Sequence, residues 1–179
     1  MASAFSHIAV PIALNVALGR KIISWRLLIL AMFLSIAPDL DSIGFKFGIA
    51  YESQWGHRGF THSILFASLV AAALFNFADF FRCSPKALFT VSFVSMVSHG
   101  ILDACTDGGL GVAFFWPILN ERYFFPWREI AVSPISISRF FTERGLQVIS
   151  SEIIYIWIPC LLMGGLFYAG RRYHIKFRN

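Results

Sequence analysis

Charge is what this chain has least of. Asp, Glu, Lys and Arg make up 14% of its 179 residues, against about 25% in an ordinary soluble domain. Too few charges remain to clothe a surface facing water. With 57% hydrophobic and 17% aromatic residues and a mean hydropathy of +0.66, the better solvent is lipid. Cysteine is scarce too: Cys83, Cys105 and Cys160 stand far apart without a CxxC, so neither a disulfide framework nor a cysteine zinc site is indicated. They read as small apolar residues. The net charge of +5 gathers in small clusters between apolar stretches. No continuous basic face appears, which argues against a nucleic-acid partner. No basic residue precedes the first apolar stretch, so no cleavable signal peptide of the usual form is expected. Internal repeats and low-complexity tracts are also missing.

What is there is a series of apolar stretches: Ile8 to Leu18, Ile22 to Ala37, Ile64 to Phe81, Lys86 to Leu102, and Ile153 to Gly170. The last three are long enough, or nearly so, to cross a hydrocarbon core of about 30 Å. The first two are short and read as a helical hairpin turning at Gly19-Arg20-Lys21. Pro11 suits a first helical turn, Pro38 stops the second helix, and Ser84-Pro85 fits a tight turn before the fourth. Glycine, proline and aromatic residues break the pattern between Thr106 and Ser151, with Trp116, Tyr123 and Trp127 suited to a headgroup-level belt. The expected fold is all-α: a multi-pass bundle of about five short helices in one domain spanning 1–179. Within it lie a metal-site core (1–117), an interfacial loop (106–151), a C-terminal membrane helix (152–170) and a basic tail (171–179).

Tracing the chain up and down puts Arg20/Lys21, Arg82/Lys86 and the tail from Arg171 on one side. His7, residues 39–62, residues 99–106 and Glu152 fall on the other. Compact basic clusters mark the cytoplasmic side, so the C-terminus is expected there, and the His- and Asp-rich end on the non-cytoplasmic face of an inner membrane. Arg122, Arg128, Arg139 and Arg144, in the long loop, run against that rule. His174 reads as a solvated residue of the tail.

Three local patterns carry chemistry. His99 and Asp103 are four apart at the end of an apolar helix, so both project from one face. Asp39 and Asp41 follow another apolar stretch, and paired carboxylates repel unless a cation or several donors offset them. His57-Arg58-Gly59-Phe60-Thr61-His62-Ser63 precedes a third. Capping needs only one Ser or Thr there, which leaves His57, Arg58 and His62 unexplained. Adding His7 gives seven candidate metal ligands: His7, Asp39, Asp41, His57, His62, His99 and Asp103. Imidazole and carboxylate without thiolate suit zinc first, manganese second and non-haem iron less, as one or two ions.

Pro-Asp-x-Asp, His-Arg-Gly-x-Thr-His-Ser and Ser-His-x-x-x-Asp-x-x-Thr together resemble a bacterial family of membrane-bound predicted metal-dependent hydrolases, some of them LexA-regulated. The resemblance runs from His7 to about Pro117. The order of His7, Asp39 or Asp41, His57 or His62, and His99 with Asp103 is also loosely similar to zinc-dependent phospholipase C and P1-type nucleases. The later His and HxxxE of those enzymes are missing; only Glu152 offers a late carboxylate. The resemblance implies an inner-membrane hydrolase. We expect a metal-dependent enzyme cleaving a phosphoester of a lipid or lipid-linked substrate that enters from the bilayer. Asp39 or Asp41 would take a proton from water, and Arg58 would clamp a phosphate oxygen. The alternatives are a non-catalytic metal-binding or transport protein, and a hydrogen-bonded polar network in a scaffold.

Overall fold

The computed structural model describes residues 1–134 and 137–176; the side chains of residue 137 and of 174–176, His174 among them, lie outside the described residues. One turn, α1 (Ala4–His7), precedes the first apolar stretch, and helices then appear where the stretches predict them: α2 (Ala9–Leu18), α3 (Trp25–Leu34), α4 (Ile64–Leu74) and α5 (Pro85–Ala104). After the long loop come α6 (Ile137–Phe140) and α7 (Glu143–Glu152), and α7 passes through a π turn, Ile153–Trp157, into α8 (Ile158–Lys176). The described residues contain no strand, only two isolated bridges, Thr106 with Ile130 and Val112 with Tyr123.

Serines start three of these helices. The hydroxyls of Ser24, Ser63 and Ser84 accept from the N–H groups of Leu27, Phe66 and Ala87, each at 3.1 Å. Each bond satisfies one of the unpaired donors at a helix N-terminus. Pro85 occupies the first turn of α5, where its missing N–H costs nothing. Gly19 ends α2 at φ +78°, and a Cβ there would also meet the Arg171 guanidinium at 2.7 Å. Only glycine serves both needs.

Two lengths differ from expectation. The second stretch does not stop at Pro38: α3 ends at Leu34, and a 3-10 run, Ala37–Phe47, carries the chain onward with Pro38 in its first turn. The third ends early, at Leu74, followed by a single 3-10 turn, Phe75–Phe77, where Asn76 and Asp79 interrupt the apolar sequence. The runs long and apolar enough to cross a membrane are therefore Trp25–Phe47, Pro85–Ala104 and Glu143–Tyr173, with Ala4–Leu18 and Ile64–Phe77 shorter. The C-terminal helix also begins within the segment expected to be loop. Glu143, Arg144 and Gln147 make α7 polar on one side, while Gly145, Val148 and Glu152 are buried on the other. A search for continuous apolar runs passes over such an amphipathic turn.

In the bundle, α3 and α4 pack on α5, and α2 packs on α8. Side chains such as Ile29, Phe33, Leu69, Leu162 and Leu166 are more than half exposed, and the C-terminal run is mostly unburied. An apolar surface of that extent belongs against acyl chains. Contacts between distant segments fix two ends. At one, Arg171 Nη1 donates to the Leu18 carbonyl (2.6 Å), Arg26 Nη1 to the Phe80 carbonyl (2.7 Å) and Ser24 Oγ to the Phe81 carbonyl. The basic turns therefore meet. His7, His57, His62 and His99 meet Asp39, Asp41 and Asp103 at the other.

Candidate metal centre

Four elements deliver the site. The 3-10 run supplies Asp39 and Asp41, and a short 3-10 turn, Phe60–His62, supplies His62 after the loop residues His57 and Arg58. The inner end of α5 supplies His99 and Asp103, and His7 is the last residue of α1. His7, His99 and Asp103 are fully buried, with His57, His62 and Asp39 nearly so. All seven sequence-predicted ligands come together.

The centre is a quartet. One ligand atom each from Asp39, His62, His99 and Asp103 lie within 4.8 Å of one another. His62 Nε2 and His99 Nε2 are 3.0 Å apart. Asp39 Oδ1 lies 3.3 Å from His99 Nε2 and 3.7 Å from His62 Nε2, and Asp103 Oδ2 lies 3.8 and 3.7 Å from the same atoms. Ligand atoms around a tetrahedral zinc, with bonds of about 2.0 Å, stand about 3.3 Å apart. The second oxygens face the other way, toward His7: its Nε2 is 3.5 Å from Asp103 Oδ1 and 3.9 Å from Asp39 Oδ2. The His7 ring stacks on His99, with centroids 3.8 Å apart. Each of the two carboxylates thus presents one oxygen to the His62/His99 side and one to the His7 side.

Donor bookkeeping shows what such a cluster requires. His99 Nδ1 lies 2.8 Å from the Ser35 carbonyl, which can only accept, so Nδ1 carries the proton and Nε2 a lone pair. His62 Nδ1 is engaged by Thr61 Oγ1 (3.0 Å) and lies 3.3 Å from Asp41 Oδ2. Its Nε2 therefore faces that of His99, and two lone pairs at this separation repel unless a proton or a cation lies between them. Burial disfavours the His62 imidazolium, yet the facing Asp39 and Asp41 carboxylates outweigh it and hold the pKa up at about 9. Both oxygens of Asp39 and both ring nitrogens of His7 are buried without a hydrogen-bond partner. Buried polar groups seldom go unpaired, and Asp39 Oδ1 faces His62 and His99 while Oδ2 faces His7 Nε2. The residues fit a divalent cation, with nitrogen and oxygen donors only.

Beside the quartet, Asp41 and Arg58 are satisfied. Asp41 accepts from Thr61 Oγ1 (2.6 Å) and the Arg58 N–H (3.3 Å), and faces His57 Nδ1 at 2.7 Å. His57 Nε2 is left buried and unpaired. Arg58 differs from its expected role as a phosphate clamp. It is fully buried, with Nε donating to Asp103 Oδ2 (3.1 Å), Nη2 to Thr106 Oγ1 (2.9 Å) and Nη1 to the carbonyls of Gly108 (3.1 Å) and Leu110 (3.0 Å). A guanidinium so occupied has no fork left for a substrate. It ties α5 to the loop, at the cost of a left-handed φ of 66°. Gly109, at φ +83°, makes room for it: a Cβ there would sit 3.0 Å from Arg58 Nη1.

Sequence reasoning missed the Ser35 carbonyl, the Ala2 N–H on Asp103 Oδ1 (2.7 Å) and the loop arginines. Arg122 donates to the carbonyls of His57 (2.8 Å), Tyr51 (3.0 Å) and Ser53 (2.9 Å), Arg128 to Thr106 (3.0 Å) and Arg144 to Val132 (2.9 Å). These side chains brace the loop, which accounts for arginine at this end of the bundle. The Thr of Ser-His-x-x-x-Asp-x-x-Thr pointed to Thr106; nothing in the sequence pointed to the backbone partners.

Among proteins of known description, the chain is 42% identical to the inner membrane protein YbcI of Escherichia coli (strain K12), over 173 residues covering 96% of this chain and 100% of that one. No solved structure matches. The family model described as YdjM inner membrane protein matches residues 1–174. An apolar helical bundle with that match and that relative belongs to the YdjM family of inner membrane proteins.

Proposed function

We propose that the protein is a membrane-embedded, metal-dependent hydrolase that cleaves a phosphoester of a lipid or lipid-linked substrate. The reading is carried by one observation: buried imidazole and carboxylate atoms converge on a point where both Asp39 oxygens lack a hydrogen-bond partner and the Nε2 atoms of His62 and His99 face each other. Asp39, His62, His99 and Asp103 would hold the ion, zinc before manganese. His7, facing the outer oxygens of the two aspartates, marks the place of a second. When bound, a divalent cation supplies Lewis-acid polarisation of a phosphoryl oxygen and lowers the pKa of water from 15.7 toward about 7.

The chain's own groups divide the remaining work. Asp39, with both oxygens unpaired, goes to the ion. Asp41 fixes His57 through Nδ1, which leaves Nε2 as the proton acceptor, as a carboxylate orients a catalytic imidazole elsewhere. Proton transfer therefore moves from the expected Asp39 or Asp41 to His57, with Asp41 as its support. A site at one end of a lipid-exposed bundle suits a substrate with acyl chains. The basic turns at the opposite end support a site on the non-cytoplasmic face and a C-terminus in the cytoplasm.

Burial favours one second reading. Structural zinc sites are closed, and His7, His99 and Asp103 have no exposure at all, so a non-catalytic metal-binding protein is the alternative. Detergent-purified protein assayed on phospholipids and generic phosphodiesters separates the two. Turnover lost in His57→Ala with metal retained supports the hydrolase. Metal retained with no turnover on any ester class leaves the closed site, and purified protein that binds no metal removes both.

A further inference from the structure

A fully buried carboxyl lies outside the candidate metal site. Glu152 is fully buried at the end of α7, next to the π turn Ile153–Trp157. A carboxyl within an apolar helical run is expensive and functional by default, and π turns gather at functional sites. Its partners come from the opposite end of the chain. The Ser3 N–H donates to Oε1, and the hydroxyls of Ser3 and Ser6 donate to Oε2 at 2.6 and 2.8 Å.

Ser3 is the N-cap of α1, which has four residues and ends in His7. This single turn runs through Ile8 into α2, so the bonds at its free start set how it is oriented. The grips are few. Ala2 N–H reaches Asp103 Oδ1 (2.7 Å), the Met1 carbonyl accepts from Ser133 N–H (2.9 Å), and Glu152 takes three donors at the helix start. Ser6 and His7 are adjacent, so a shift at Ser6 carries directly to the imidazole.

We infer that Glu152 is a positioning residue for His7. It locks α1 so that the His7 ring stays stacked on His99 with Nε2 turned to the outer oxygens of Asp39 and Asp103. The inference rests on the metal reading above and extends the site into the C-terminal third, where no motif lies. A carboxylate suits the task because three donors meet there and it only accepts. A glutamine offers one oxygen and an NH₂, to which the serine hydroxyls can turn round, so Glu152→Gln should rescue in part.

The test is cobalt(II) titration of the detergent-purified full chain, read by the visible spectrum, which reports the donor set. Glu152→Ala is expected to weaken cobalt binding about 10- to 100-fold and to shift the spectrum to that of His7→Ala. Glu152→Gln should fall between, and Glu152→Ala should add nothing in a His7→Ala background. Wild-type affinity and spectrum in Glu152→Ala overturn the inference, as do additive effects of the two substitutions. If Glu152→Ala does not fold, Ser6→Ala, which removes one of the three bonds, should give a smaller shift in the same direction, and an unshifted spectrum overturns the inference. Wild-type protein that takes up no cobalt overturns the metal reading itself, before any variant is compared.

Discussion

The two ends of α5 pack in opposite ways. Toward its start, Leu88 and Val91 join Ile23, Leu27, Ala31 and Ala78 in a core of aliphatic side chains. Toward its end, His99 and Asp103 are just as buried, but their neighbours are imidazoles, carboxylates and a guanidinium. One helix thus runs from a region held by close apolar packing into one where burying charge costs free energy. Packing at the basic end supplies stability, and the His/Asp end draws on it to hold its charges together.

The comparison can be broken from either side. The largest effect is expected from His99→Ala with Asp103→Ala, which should take bound metal from one or two ions per chain to none by elemental analysis, with helix content by circular dichroism unchanged. A double variant that keeps its metal would show that the lower end of α5 is not the anchor. Leu88→Ala should do the reverse, costing about 2–5 kcal/mol of stability in a detergent unfolding assay while leaving metal content alone. Asp41→Asn keeps the shape but loosens His57 and His62, and should weaken metal affinity about 10- to 100-fold; calorimetry measures it. Smallest is Phe33→Leu on the lipid face, expected to change stability within about 0.5 kcal/mol. A cost as large as that of Leu88→Ala would mean Phe33 faces a partner and not lipid.

Much of the metal end was legible because its residues are chemically conspicuous. His57, His62, His99 and Asp103 are out of place beside apolar helices, and alternating helix direction was enough to bring them together with His7. Their division of labour was not legible. Asp39 and Asp41 are equivalent in sequence, and only the donors around Asp41 separate a free carboxylate from an occupied one. Arg58 looked available for substrate because the Gly108 and Leu110 carbonyls that bind it are backbone atoms 50 and 52 residues away. The start of α7 was hidden for another reason: its buried residues are interleaved with polar ones, so hydropathy alone passes over it. Glu152 appeared as a stray late carboxylate, since its partners Ser3 and Ser6 are nearly the whole chain away.

X-ray absorption at the zinc K-edge of zinc-loaded, detergent-purified protein is the most direct trial of the centre. The structure calls for nitrogen and oxygen scatterers alone at about 2.0–2.1 Å, with the multiple-scattering signature of at least two imidazoles that disappears in the His62→Ala, His99→Ala pair. A sulfur scatterer, or a spectrum identical in that pair, would place the ion elsewhere and contradict the account.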